Sequence, residues 1–143
     1  MHLRRTGSAA RGHARPGEPR WRRDGSALVG EQDDGRRSGT GTPRLDAAAL
    51  GAELGDRATL VQFSSAFCAP CRATRRVLGE VAGMVPGVAH VEIDAEARLE
   101  LVRALGVLKT PTVLVLDAGG RVVRRAVGQP RTADVIAALG AAV

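Results

Sequence analysis

Apolar residues recur at helical spacing over positions 45 to 54, with Leu45, Ala49 and Ala52 in one row and Ala48, Leu50 and Leu54 beside it. This predicts a short first helix closed by Gly55-Asp56. Thr59-Leu60-Val61-Gln62-Phe63 is a brief apolar run broken by one polar residue, the pattern of a strand covered on both faces. Farther on, Val77, Leu78, Val81, Met84 and Val85 fall on one helical face while Arg72, Arg75, Arg76 and Glu80 take the rest, and Pro86-Gly87 stops the helix. Positions 88 to 94 alternate, Val91 and Ile93 against His90 and Glu92, and 98 to 105 return to a helix with Leu101 and Leu105 stacked. Thr112 to Leu116 is a continuous strand, Asp117-Ala118-Gly119-Gly120 a tight turn, and 121 to 127 its antiparallel partner. After Pro130 a last amphipathic helix carries Val135, Ile136 and Leu139. Helix, strand, helix, strand, helix, strand, strand, helix is the order. With right-handed crossovers it predicts an α/β fold, a mixed central sheet flanked by helices in which a hairpin is added to a parallel pair.

Composition changes near position 44, and the change divides the chain. Residues 1–44 hold ten Arg against five acidic residues, with eight Gly, three Pro and few large apolar side chains. Such a stretch buries too little surface to order itself, so a disordered basic tail is expected there, Trp21 included. Residues 45–143 hold eleven basic and ten acidic residues and form one domain with a real core. The tail thus holds five of the six net positive charges and the domain one, and the near-neutral domain is not expected to bind nucleic acid. Arg4-Arg5 is not followed by the apolar segment of an export signal, and no stretch approaches the length of a membrane span. A soluble, cytoplasmic monomer is the expectation. A mis-assigned start codon would instead fit a membrane-associated or extracytoplasmic protein whose anchor lies upstream.

The chemistry is carried by Cys68-Ala69-Pro70-Cys71, which holds both cysteines of the chain where a strand ends and a helix begins. A helix N-terminus offers unpaired N–H groups and a positive dipole end, which favour thiolate over thiol at Cys68. Cys71, one turn deeper, is placed to attack a mixed disulfide on Cys68 and release the reduced substrate. Zinc needs four ligands, and besides this pair only His2, His13 and His90 could serve, so no metal is expected. A merely structural bridge across so small a loop would remove little chain entropy.

Together with Phe67 before the first cysteine, Thr110-Pro111-Thr112 opening the third strand, and Gly128 between the last strand and helix, this motif makes positions 45 to 143 resemble the thioredoxin family. The resemblance implies a thioredoxin fold, a cis bond before Pro111, and a thiol–disulfide oxidoreductase that reduces protein disulfides without a bound cofactor. Its catalytic residues would be Cys68 and Cys71. Its substrate groove would be formed by Phe67, Ala69, Pro70, Thr110, Pro111 and Gly128, and a reductase or other electron donor would restore the dithiol. The sequence departs from the family pattern at Gln62, where a buried Asp usually helps move the proton of the second cysteine, and at Ser64 and Phe67, where Trp is common. His90 occupies a neighbouring strand and is a candidate proton relay. Arg72 adds positive potential near the thiolate, whereas Arg75 and Arg76 are read as solubilising only. Two other readings keep the fold. One is a binding or assembly module without turnover, and the other a membrane-associated extracytoplasmic oxidoreductase lacking its anchor here.

Overall fold

In the computed structural model, residues 21–23 and 43–143 are described. Four strands, β1 (Ala58–Ser64), β2 (Val88–Asp94), β3 (Thr112–Asp117) and β4 (Val122–Val127), form one sheet in the order β2-β1-β3-β4. β1 pairs parallel to β2 and antiparallel to β3, and β3 pairs antiparallel to β4. The expected mixed sheet is therefore present. β1 is buried along its whole length because helices cover both of its faces.

On one face, Val61, Phe63, Ile93, Leu114, Leu116 and Val122 pack with Leu45, with Leu50 of α1 (Ala47–Leu50), and with Leu101 and Leu105 of α3 (Leu99–Leu105). On the other, Ala58, Leu60, Val88, Val113 and Val115 meet Leu78 and Val81 of α2 (Ala69–Met84) and Val135, Ala138 and Leu139 of α4 (Thr132–Leu139). A 3₁₀ turn, Ala95–Ala97, links β2 to α3. Among the described residues no helix is long and apolar enough to cross a membrane.

The structure corrects three details of the sequence reading. The helix predicted over 45 to 54 is only one turn. Asp46 caps it by accepting the Ala49 N–H at 2.8 Å, and Gly51, in the left-handed region at φ 78°, ends it. Leu45 is buried all the same, because it pairs with the hairpin turn rather than because it is helical: its N–H donates to the Gly120 carbonyl at 2.8 Å. In α2 the buried row is Cys71, Thr74, Leu78 and Val81, and Met84, the last residue before the turn over 85–87, is 56% exposed. In α4 the buried row is Val135, Ala138 and Leu139, which leaves Ile136 one position off the face and 45% exposed.

The predicted hairpin turn forms around Asp117, whose carboxylate accepts the N–H groups of Gly119 and Arg121 at 3.0 and 2.9 Å. The expectation of a disordered tail over 1–44 falls mostly outside the described residues. Within it, Arg22 exchanges backbone hydrogen bonds of 2.8 and 3.0 Å with Arg125 of β4, and half-buried Trp21 packs on the second core. Arg44 makes a second isolated bridge, to Arg121.

Candidate active site

The register of the sheet gathers the predicted residues at one end. Phe63 lies across from Thr112, and Thr112 from Val127, so the chain leaving β1 toward Cys68, the chain entering β3 through Pro111, and the chain leaving β4 at Gly128 emerge side by side. Two hydrogen bonds tie these loops together. The hydroxyls of Ser65 and Thr110 lie 2.8 Å apart, and the Gly128 N–H donates to the Pro111 carbonyl at 2.8 Å. The Thr110–Pro111 bond is cis, and Gly128 sits at φ 106°.

Cys68 is the N-cap of α2. Its extended backbone stops the helix from starting earlier, its carbonyl accepts the Cys71 and Arg72 N–H groups, and its sulfur accepts the Cys71 N–H at 3.2 Å. Pro70 sits in the first turn, where a missing N–H costs nothing, and its carbonyl accepts the Thr74 hydroxyl at 2.8 Å. A thiolate on Cys68 therefore faces a helix N-terminus and one directed N–H donor. The two sulfurs are joined, at an S–S distance of 2.16 Å and a Cα separation of 5.2 Å. Cys68 is half-buried, whereas Cys71 is 1% exposed. Around the pair Phe67, Ala69 and Pro70 are exposed, Thr110 and Gly128 half-buried, and Pro111 buried.

Behind Cys71 lies a polar network that the sequence reading met only in part. Gln62 is fully buried on the face of β1 that α2 covers. Its amide nitrogen donates to the Cys71 carbonyl at 2.8 Å and to the Ser64 hydroxyl at 2.9 Å. A carbonyl can only accept, so the amide nitrogen must face Cys71 and the amide oxygen must face the His90 Nε2, 3.2 Å away. This makes the imidazole the Nε2–H tautomer. The Ser64 hydroxyl, already an acceptor, donates to Glu92 at 2.8 Å, and Arg75 grips both oxygens of that carboxylate at 2.7 and 2.8 Å.

These contacts set the electrostatics. The Arg75 hydrogen bond, opposed by burial and helped by Ser64, holds the Glu92 carboxyl below the usual carboxylate range, and Glu92 in turn raises Arg75 through the same hydrogen bond. His90 is lowered, chiefly by burial, against the pull of Glu92. His90 thus stands beside Gln62, as its place in the sequence suggested, but it bonds an amide that cannot pass a proton on. Arg75 is more than a solubilising residue, since it anchors α2 to β2. Ser64 and Glu92 were missed. Their signal was the strand period of two, which puts Gln62 and Ser64 on one face, together with the Gln62–Glu92 register that the parallel pair supplies.

Comparison with known proteins agrees with this geometry. The thioredoxin family model matches residues 45–141. The thioredoxin of Alicyclobacillus acidocaldarius subsp. acidocaldarius is 35% identical over 79 residues, covering 54% of this chain and 74% of that protein. Thioredoxin H2-1 of Oryza sativa subsp. japonica is 36% identical over 69 residues, 48% of this chain, and the chain spans about half, 49%, of that relative's length. Among solved structures, thioredoxin F from spinach chloroplast (short form) superposes with a TM-score of 0.54 at 24% identity, covering 62% of this chain and 78% of that one, a likeness of fold. With the cysteine pair capping α2, the cis bond before Pro111 and a family match running through nearly all of the folded domain, the chain belongs to the thioredoxin family.

Proposed function

We propose that the protein is a thiol–disulfide oxidoreductase that reduces protein disulfides through Cys68 and Cys71. The observation that carries this reading is the asymmetry of the pair: a half-buried cysteine at a helix N-cap is bonded to a buried one a single turn deeper. In the reduced state the Cys68 thiolate attacks one sulfur of a substrate disulfide, and the other substrate sulfur leaves as a thiolate and takes a proton. Cys71 then attacks Cys68, the Cys68–substrate bond breaks, and the proton of Cys71 ends on the departing substrate sulfur. Two electrons pass to the substrate, and the Cys68–Cys71 disulfide remains.

Phe67, Ala69, Pro70, Thr110, Pro111 and Gly128 would form the groove for an extended substrate segment, and a reductase or other dithiol donor returns the electrons. A cytoplasmic monomer, with Trp21 and Arg22 of the basic segment 1–44 resting on the domain, completes the reading. The test is insulin reduction with dithiothreitol by the full chain and by Cys68→Ser. Turnover by the parent and none by the variant is expected. Equal turnover would overturn the mechanism, and an inactive parent would turn the reading to a groove that binds without catalysis.

A further inference from the structure

The loops around the dithiol carry a second pattern, in their exposed apolar side chains and their charge. Phe67 and Leu108, at 99% and 91% exposed, are the two most exposed large apolar residues among those described. They belong to the two loops that the Ser65–Thr110 contact joins, Phe67 two residues after Ser65 and Leu108 two before Thr110. Neither takes part in a core cluster. Phe67 is also held at φ 57°, a conformation that disfavours every residue with a side chain, so the fold sustains a cost in presenting this ring to solvent. Removing a ring or a leucine side chain from water is favourable, a gain open to a partner that lies across both.

Charge narrows what that partner is. Positions 65–76, 106–112 and 127–133 contain five basic residues, Arg72, Arg75, Arg76, Lys109 and Arg131, and no acidic one. Arg75 is committed to Glu92 and Arg131 to Asp134. Arg72, Arg76 and Lys109 are exposed and make no salt bridge to a described residue. The Lys109 backbone is fixed, since its carbonyl accepts the Thr112 hydroxyl. Asp94, at the end of β2, stands opposite Ser64 at the same end of the sheet, with β1 between it and β3, and its carboxylate accepts the Glu96 N–H, so the acidic side chains near the site are on its β2 side. The start of α2 and the loop before β3 therefore carry an excess of positive charge, beside two exposed apolar side chains. Such an excess lowers the free energy of an encounter with acidic segments and raises it for basic ones.

We propose that the protein selects disulfides in extended segments that carry Asp or Glu beside the attacked cysteine and an apolar side chain for Phe67 or Leu108, with Lys109, Arg72 and Arg76 supplying the charge discrimination. This rests on the dithiol reading above. The test uses the reduced full chain with synthetic peptide disulfides identical except for acidic, neutral or basic flanks, and with hydroxyethyl disulfide as an uncharged small substrate. At low salt, kcat/KM should fall from acidic to neutral to basic flanks, by about tenfold overall, and the spread should shrink severalfold near 0.5 M salt. Lys109→Glu should reduce or reverse the acidic-to-basic ratio, and Leu108→Ser should raise KM for peptides with apolar flanks. Turnover of hydroxyethyl disulfide together with equal rates for all flanks, or a preference for basic ones, would overturn this proposal and leave the dithiol chemistry standing. No reduction of any substrate, hydroxyethyl disulfide included, would overturn the dithiol chemistry itself.

Discussion

At Gln62 the penalty for burying an amide is met by three hydrogen bonds, one to the backbone of Cys71. Gln62→Leu removes all three and leaves Ser64 and His90 facing an apolar group. It should cost roughly 1–3 kcal/mol, read as a lower urea midpoint with an unchanged slope. His90 supplies a pH test. Burial holds its folded pKa below the ordinary value, whereas the unfolded chain takes up the proton near pH ~6.5. As pH falls through that value the unfolded chain binds the extra proton first, so stability drops until the folded pKa is reached. His90→Gln keeps an N–H donor to Gln62 but does not titrate. The loss of stability between about pH 7.5 and about pH 5.5 should therefore be smaller in the variant than in the parent, measured by urea unfolding at each pH. The placement of Cys68, Cys71 and Pro111 was legible, because the helix cap, the first helical turn and the X-Pro bond they occupy follow from their types and spacing. The network was not legible, because a Ser, a Glu and an Arg have no fixed partners until parallel pairing sets Gln62 beside Glu92.

Elements were readable where burial alone shapes the pattern, and misread where a local contact competes with it. β1 to β4 appeared in the predicted places because runs such as Val113-Leu114-Val115-Leu116 have only one way to hide both faces. The first helix was overextended because Leu45 and Leu54 look like parts of a helical stripe. In the fold Leu45 packs by pairing with the hairpin turn, and Leu54 packs on the same core from beyond the helix. That pairing leaves no room at the turn: a Cβ on Gly120 would lie 2.1 Å from the Leu45 carbonyl oxygen, and the backbone stands at φ 89°. Gly120→Ala should accordingly lose roughly 2–3 kcal/mol, with the β3–β4 hairpin and the Leu45 segment losing hydrogen-exchange protection together. A loss confined to the turn would separate the hairpin from the N-terminal segment.

Across the whole molecule, two cores on opposite faces of one sheet hold the site from behind while its mouth is left to three loops. The division at position 44 came from composition, which averages over a stretch and so hides one bulky residue in it. Trp21 was that residue, and it lies on the second core with Arg22 bridging to β4. The burial of Cys71 has a further use. Once the bond is reduced, a small alkylating reagent meets one sulfur that answers to solvent and one that answers to the fold. Under native conditions the protein should gain a single adduct quickly, at Cys68, and the second only as fast as the chain opens, so the interval between them on a mass spectrometer is a clock for unfolding built into the thiol pair.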